Sequence, residues 1–209
     1  MAELLERIIN IFTNQLKDLP GKKAHEIMMP KPLIYHNSEI ELKESGVMIL
    51  MYPCKNRVYS ILIKRTSKGI HGNQIGLPGG KKEPGEDLET TAKRETEEEI
   101  GIPASQIKVF GKLSNIIINV SAHIVFPFVG YVNFLPELKV DKNEVEYVIT
   151  YDIENFIFNC NSKTKVLRYN DIERKIPYFQ IEGEMVWGAT AMILNEFKII
   201  LNTYINKNF

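Results

Sequence analysis

The chain reads as an α/β protein, a mixed β-sheet covered by helices on both faces. Three observations predict it. Strand-like apolar runs at 46–52, 58–64, 107–118, 123–132 and 144–151 recur through the chain. Apolar residues at helical spacing occupy both flanks, 2–17 and 187–204, and a charged helical segment at 88–100 lies between the strands. Strands interleaved with helices in this way favour one sheet with helical layers over a sandwich of two sheets.

Each element follows from local chemistry. Leu4, Leu5, Ile8, Phe12 and Leu16 lie on one face of a helix over 2–17. Leu19-Pro20-Gly21 breaks it, and Met29-Pro30-Lys31-Pro32 reads as an extended linker, so residues 1–43 are expected to pack as helix plus linker on a core domain of 44–209. The runs 46–52 and 58–64 are joined by Pro53-Cys54-Lys55-Asn56, a hairpin turn. Residues 64–80 are loop-rich. Asp87 is a good N-cap for a helix over 88–100, with Glu89 near its positive end, and Gly101 supplies a left-handed stop. After the strands at 107–118, 123–132 and 144–151, a short helix is expected at 152–157 and further strands at 165–168 and 176–181. Ala191, Leu194, Phe197, Ile200 and Leu201 then outline a final amphipathic helix.

Composition excludes several function classes. A chain of 209 residues that is 44% hydrophobic can bury a core without disulfide or metal staples. Its 26 basic and 26 acidic residues leave no basic footprint for nucleic acid or anionic membrane. Cys54 and Cys160 form neither a metal-ligand spacing nor a disulfide framework. Acidic residues follow Met1 where a signal peptide needs a basic end, and no run approaches the roughly 20 apolar residues of a membrane span. A cytoplasmic protein is expected, with no nucleic-acid or membrane partner and at most a second copy of itself as protein partner.

The decisive stretch is Gly80-Lys81-Lys82-Glu83-Pro84-Gly85-Glu86, followed after seven residues by Arg94-Glu95-Thr96-Glu97-Glu98-Glu99-Ile100-Gly101-Ile102. At about 100° per residue, Leu88, Ala92, Glu95 and Glu99 fall within one semicircle, so a face that begins apolar becomes acidic. Glu98 stands roughly 60° from Glu95, and Glu97 points nearly opposite. A charge run is ordinarily a solvated helix face. Here the carboxylates share the inward side with Arg94 among them, and Gly79-Gly80 delivers backbone to the same place. Like charges so placed repel one another, and a hard divalent cation such as Mg²⁺ or Mn²⁺ is what holds them together.

This spacing resembles the Nudix box of hydrolases that act on nucleoside diphosphates linked to another group. The resemblance implies an α/β/α sandwich with a mixed sheet and divalent-metal-dependent hydrolysis of a diphosphate. Glu95 and Glu99 would be principal metal ligands, Glu98 a further ligand or the general base, and the Gly80 carbonyl an additional oxygen ligand. Arg94 and Glu86 would pair to hold helix and loop in register, although Arg94 could also meet phosphate. Thr96 stands where the family usually has an aliphatic residue.

The segment before the box narrows the substrate. Leu62-Ile63-Lys64-Arg65-Thr66-Ser67 and His71-Gly72-Asn73-Gln74-Ile75-Gly76-Leu77-Pro78-Gly79-Gly80 are similar to the signature of Nudix coenzyme A diphosphatases. Leu19-Pro20-Gly21 with Ala24-His25 and Met29-Pro30, and the run 186–194, extend that similarity over most of the chain. It implies coenzyme A or acyl-coenzyme A as substrate, cleaved to 3′,5′-ADP and (acyl-)4′-phosphopantetheine, with ADP-ribose as the alternative. Arg65 is a candidate phosphate contact or a surface ion pair, and His71 a candidate substrate contact or an ordinary loop histidine. Trp187 is either a stacking platform or core. Glu144 and Glu146 could bring an extra carboxylate but read as surface strand residues. Ser121 and His123 lack the third partner of a hydrolase triad.

Overall fold

The computed structural model describes residues 2–32, 41–68, 71–118, 121–169 and 172–205. Helix α1 (Glu3–Asn10) continues as a π-helical turn at Ile11–Gln15; Leu5 and Ile8 are buried as their spacing predicts, Leu4, Phe12 and Leu16 are half-buried, and Ile11 is buried as well. Helix α2 (Lys22–Ile27) stands where the sequence reading placed only a break and a linker. Its six residues have no side-chain N-cap and are too few to show a helical period. Burial of Ala24 and His25 holds it from outside. Residues 33–40 of the expected linker lie outside the described residues.

Strands β1 (Lys43–Cys54) and β2 (Arg57–Arg65) form the expected hairpin, with Lys55 at φ 55° in the turn. The segment read as loop contains two short strands, β3 (Ile75–Gly76) on β2 and β4 (Gly79–Lys81) on β1. Helix α3 (Leu88–Ile100) follows, then a 3₁₀ turn at Ala104–Gln106. Strands β5 (Lys108–Lys112), β6 (Ile116–Ile118), β7 (His123–Tyr131) and β8 (Val145–Asp152) complete the main sheet. Its order is β3-β2-β1-β7-β5, with β4 on β1, β6 on β7 and β8 on β2. The β1–β7 pair is parallel and the others are antiparallel, so the sheet is mixed.

Alternation along β1 divides the core. Met48, Leu50 and Tyr52 join Ile61, Ile63, Ala92 and Ile100 on the α3 side. Ile49 and Met51 point to the other side. There they meet α1, helix α4 (Ile153–Asn159) and the last helix, α5 (Gly188–Ile205). Each fully buried aliphatic side chain contributes about 1.5–3 kcal/mol, so both faces are firmly covered. A second sheet holds β9 (Ser162–Tyr169), β10 (Ile172–Ile181) and β11 (Glu184–Trp187) in the order β11-β10-β9. Its β10–β11 turn uses Glu182 and Gly183, both at positive φ. Trp187 ends β11, half-buried, instead of starting the helix.

Helix α5 departs from the amphipathic expectation. Ala191 through Phe197 are all buried, including Asn195 and Glu196. The polar side that the pattern assigns to solvent is covered by α2, and its polar groups find partners there. Asn195 Nδ2 donates to Ala24 O at 2.8 Å. Glu196 accepts from Gly21 N–H, Ser114 N–H and Ser114 Oγ, and lies 2.9 Å from His25 Nε2. Among the described residues, no helix is long and apolar enough to cross a membrane.

Candidate active site

The site is built where α3 meets β1 and β4. Asp87 Oδ1 accepts the Thr90 N–H at 2.8 Å, and Gly101 closes the helix at φ 76°. Both ends therefore match the sequence expectation. The buried Thr96 hydroxyl donates to Ala92 O at 2.6 Å, which lets threonine occupy an apolar position with its polar atom satisfied. Close approach of helix to sheet depends on glycine. A Cβ on Gly46 would strike Leu88 O, and one on Gly80 would strike the Glu95 carboxylate. Gly79, at φ 142°, has Gly46 O and Val47 Cα where a Cβ would go.

Three carboxylates converge at this place. Ligand oxygens of Glu95, Glu99 and Glu144 all lie within 4.8 Å of one another. Glu99 is 1% exposed; its Oε2 accepts the Gly79 N–H at 2.8 Å, while Oε1 has no hydrogen-bond partner. Arg65 Nη2 stands 3.3 Å from Oε1, inside ion-pair range but off hydrogen-bond geometry. Burial raises the Glu99 carboxyl to about 7. Arg65 and the Gly79 N–H pull it down, whereas Glu95 and Glu144 push it further up. Burial likewise raises Glu95, against the pull of Arg94. A buried carboxylate oxygen without a donor, beside two more carboxylates, fits a hard divalent cation held by oxygen ligands.

Arg94 organises the entry to this cluster. Its Nε donates to Glu86 Oε1 at 2.7 Å and its Nη2 to Lys81 O at 3.2 Å. Its Nη1 lies 3.0 Å from Glu95 Oε1 and 2.9 Å from Glu98 Oε2. One planar guanidinium thus ties the loop, the helix and a cluster carboxylate together. Glu86 also accepts from Thr91 Oγ and Glu83 N–H, and Arg94 above all lowers its carboxyl to about 2. Glu98 is exposed and rests on Arg94, outside the three-carboxylate group. Glu97 points away, accepting the Ala104 N–H.

Glu144, for which the sequence favours a surface strand residue over an extra carboxylate, is the third member of the cluster. It is exposed, but it lies in the turn before β8, and three backbone bonds carry it to the cluster. Lys139 N–H donates to Ile100 O and Asp141 N–H to Glu99 O, covering the carbonyls at the end of α3. Thr66 N–H donates to Glu144 O at 2.9 Å. The sequence signal was faint: Asp141-Lys142-Asn143-Glu144 is a turn whose Asp141 Oδ1 accepts the Asn143 N–H. Glu146 stays exposed away from the group. Arg65, at a register shift between β2 and β8, bonds Gly79 O at 2.7 Å and faces Glu99. His71 is half-buried; burial lowers its basicity, and Arg65 and His123 lower it further. His123 Nδ1 lies 2.7 Å from Ser121 O. Gly80 sits in β4 opposite Gly46.

The NUDIX domain matches residues 42–166. "Nudix hydrolase 3" of Caenorhabditis elegans is 27% identical over 214 residues, 94% of this chain and 86% of that protein. An uncharacterized Nudix hydrolase of Yersinia pestis is 30% identical over 174 residues, 81% of this chain and 87% of that protein. A MutT/nudix family protein of Enterococcus faecalis, at 15% identity, superposes with a TM-score of 0.52 over 99% of this chain and 75% of its own, which bears on the fold alone.

Proposed function

The chain belongs to the NUDIX domain family and is a diphosphohydrolase, and we propose from that premise that it hydrolyses the diphosphate of coenzyme A or acyl-coenzyme A. The products are 3′,5′-ADP and 4′-phosphopantetheine or its acylated form. The convergence of Glu95, Glu99 and Glu144 beside Gly79-Gly80 is the observation that carries the chemistry. These three carboxylates, with the Gly80 carbonyl, would hold Mg²⁺ or Mn²⁺. When bound, the cation supplies charge compensation for the diphosphate and lowers the pKa of water at the site.

The remaining roles belong to the protein's own groups. Arg94, fixed by Glu86, keeps the carboxylates of α3 in register with the loop before it. Glu98, outside the cluster and open to solvent, takes the proton as water attacks phosphorus. Arg65, which faces Glu99, and His71, which feels the Arg65 charge, are assigned to the substrate, whose phosphate and hydroxyl groups suit a guanidinium and an imidazole.

The coenzyme A assignment is supported by the segments that resemble coenzyme A diphosphatases and by how they pack. Thr190 Oγ, in the first turn of α5, donates to Ile75 O in the segment that precedes the box. The 19–30 segment is fastened to α5 through Glu196. An assay of coenzyme A, acetyl-coenzyme A and ADP-ribose with Mg²⁺ or Mn²⁺, products identified by mass, tests it. Coenzyme A should give the highest kcat/KM; a higher value for ADP-ribose overturns this choice of substrate.

A further inference from the structure

We propose that Arg65 is the built-in counter-cation of the site, standing against Glu99 until a divalent cation displaces it and frees its guanidinium for substrate phosphate. This rests on the reading of Glu95, Glu99 and Glu144 as cation ligands.

Glu99 is the observation from which it follows. A carboxylate only 1% exposed needs a compensating group. Two stand against it, and they differ in kind. The Gly79 N–H is backbone, held in place by the close packing of Gly79 on β1, and makes a 2.8 Å bond to Oε2. The Arg65 guanidinium is a side-chain charge 3.3 Å from Oε1 that makes no hydrogen bond to it. Its hydrogen bond goes to Gly79 O, at 2.7 Å. Arg65 therefore offsets the charge of Glu99 without filling the lone pairs of Oε1.

A cation shared by the three carboxylates delivers two charges to the oxygens that Arg65 serves with one. It also repels a guanidinium left so close. The Arg65 side chain is 31% exposed, so it has an outlet. Its backbone need not move, because Arg65 N–H donates to Gln74 O and the strand continues to pair with β8. Because the same Nη2 serves Gly79 O and faces Glu99 Oε1, leaving Glu99 also releases the Gly79 O contact and carries the guanidinium to the exposed side of Arg65, free to meet a diphosphate. Metal loading and phosphate affinity then become linked through one side chain.

Mn²⁺ binding to the substrate-free protein, followed by the electron paramagnetic resonance of free Mn²⁺, tests the exchange. Arg65→Gln removes the competitor and should bind Mn²⁺ roughly fivefold tighter or more; an equal or weaker affinity overturns the proposal. Glu99→Gln is the separate control on the metal reading: if it binds Mn²⁺ as well as the unaltered protein, the cation site itself is misassigned. Should Arg65→Gln not fold, crystals of the unaltered protein with Mn²⁺ decide. The Arg65–Glu99 separation should open beyond about 4 Å, the ion-pair limit. A retained pair with Mn²⁺ on Glu99 overturns the proposal.

Discussion

Glu95 folds its carboxylate onto Gly80, filling the space that a Cβ on that residue would need. The contact fixes where the acidic face of α3 meets β4, and it turns a glycine of the sequence motif into a steric requirement. Gly80→Ala should therefore push Glu95 aside without disturbing either element's hydrogen bonding. Calorimetric titration with Mn²⁺ should show affinity down about 10-fold or more, on the scale of a misplaced supporting group. Far-ultraviolet circular dichroism should be unchanged. Mn²⁺ binding and turnover equal to the unaltered protein would show that Glu95 has other room.

Removing a cluster carboxylate should separate chemistry from folding. Glu99→Gln is expected to lower turnover at least about 100-fold, the scale of lost metal chemistry, while the protein stays folded because one of several like charges has gone. Glu144→Gln should weaken Mn²⁺ binding about 10-fold. Glu146→Gln, two residues on and outside the cluster, serves as the neutral comparison. Equal effects at 144 and 146 would remove Glu144 from the site.

Arg94 spreads its donors over Glu86, Glu95, Glu98 and Lys81 O. A lysine ammonium cannot reproduce that planar set. Arg94→Lys should cost about 1–3 kcal/mol in chemical denaturation, since the partners left behind are partly buried, and should also reduce turnover. A denaturation midpoint and a rate both matching the unaltered protein would contradict the orienting role.

Glu196 predicts a pH dependence. Burial alone would raise its carboxyl, but His25, Ser114 and the Gly21 N–H outweigh burial and bring it below the usual 4.5. A carboxyl lowered in the folded state contributes stability that is fully present above about 4.5 and is lost as pH falls through its folded value. Glu196→Gln should thus melt below the unaltered protein at pH 7, and the gap should narrow as pH falls below about 4.5. A gap that does not change over that range would show that the charge of Glu196 is not what holds α2 to α5.

Short-range chemistry made much of this protein readable from its residues. Asp87 and Gly101 bound α3 because capping is settled within a few residues. The unbroken apolar run 46–52 marked a strand whose two faces are both covered, and helical period placed Glu95 and Glu99 on one side. The glycines and carboxylates of the box carry the family resemblance in a single run of sequence. Other features depend on contacts between distant segments. Glu144 reaches Glu99 only because the 139–141 backbone caps the end of α3 and Thr66 binds Glu144 O. Helix α2 has too few residues to announce itself, and Glu196 is buried against the pattern of its own helix because α2 lies across it. Arg65 reads from sequence as a phosphate contact or a surface ion pair, and its place against Glu99, at the shift between β2 and β8, is set by the fold. Local signals carry period, caps and turns, whereas the pairing of a buried charge is decided by whichever distant segment the fold brings against it.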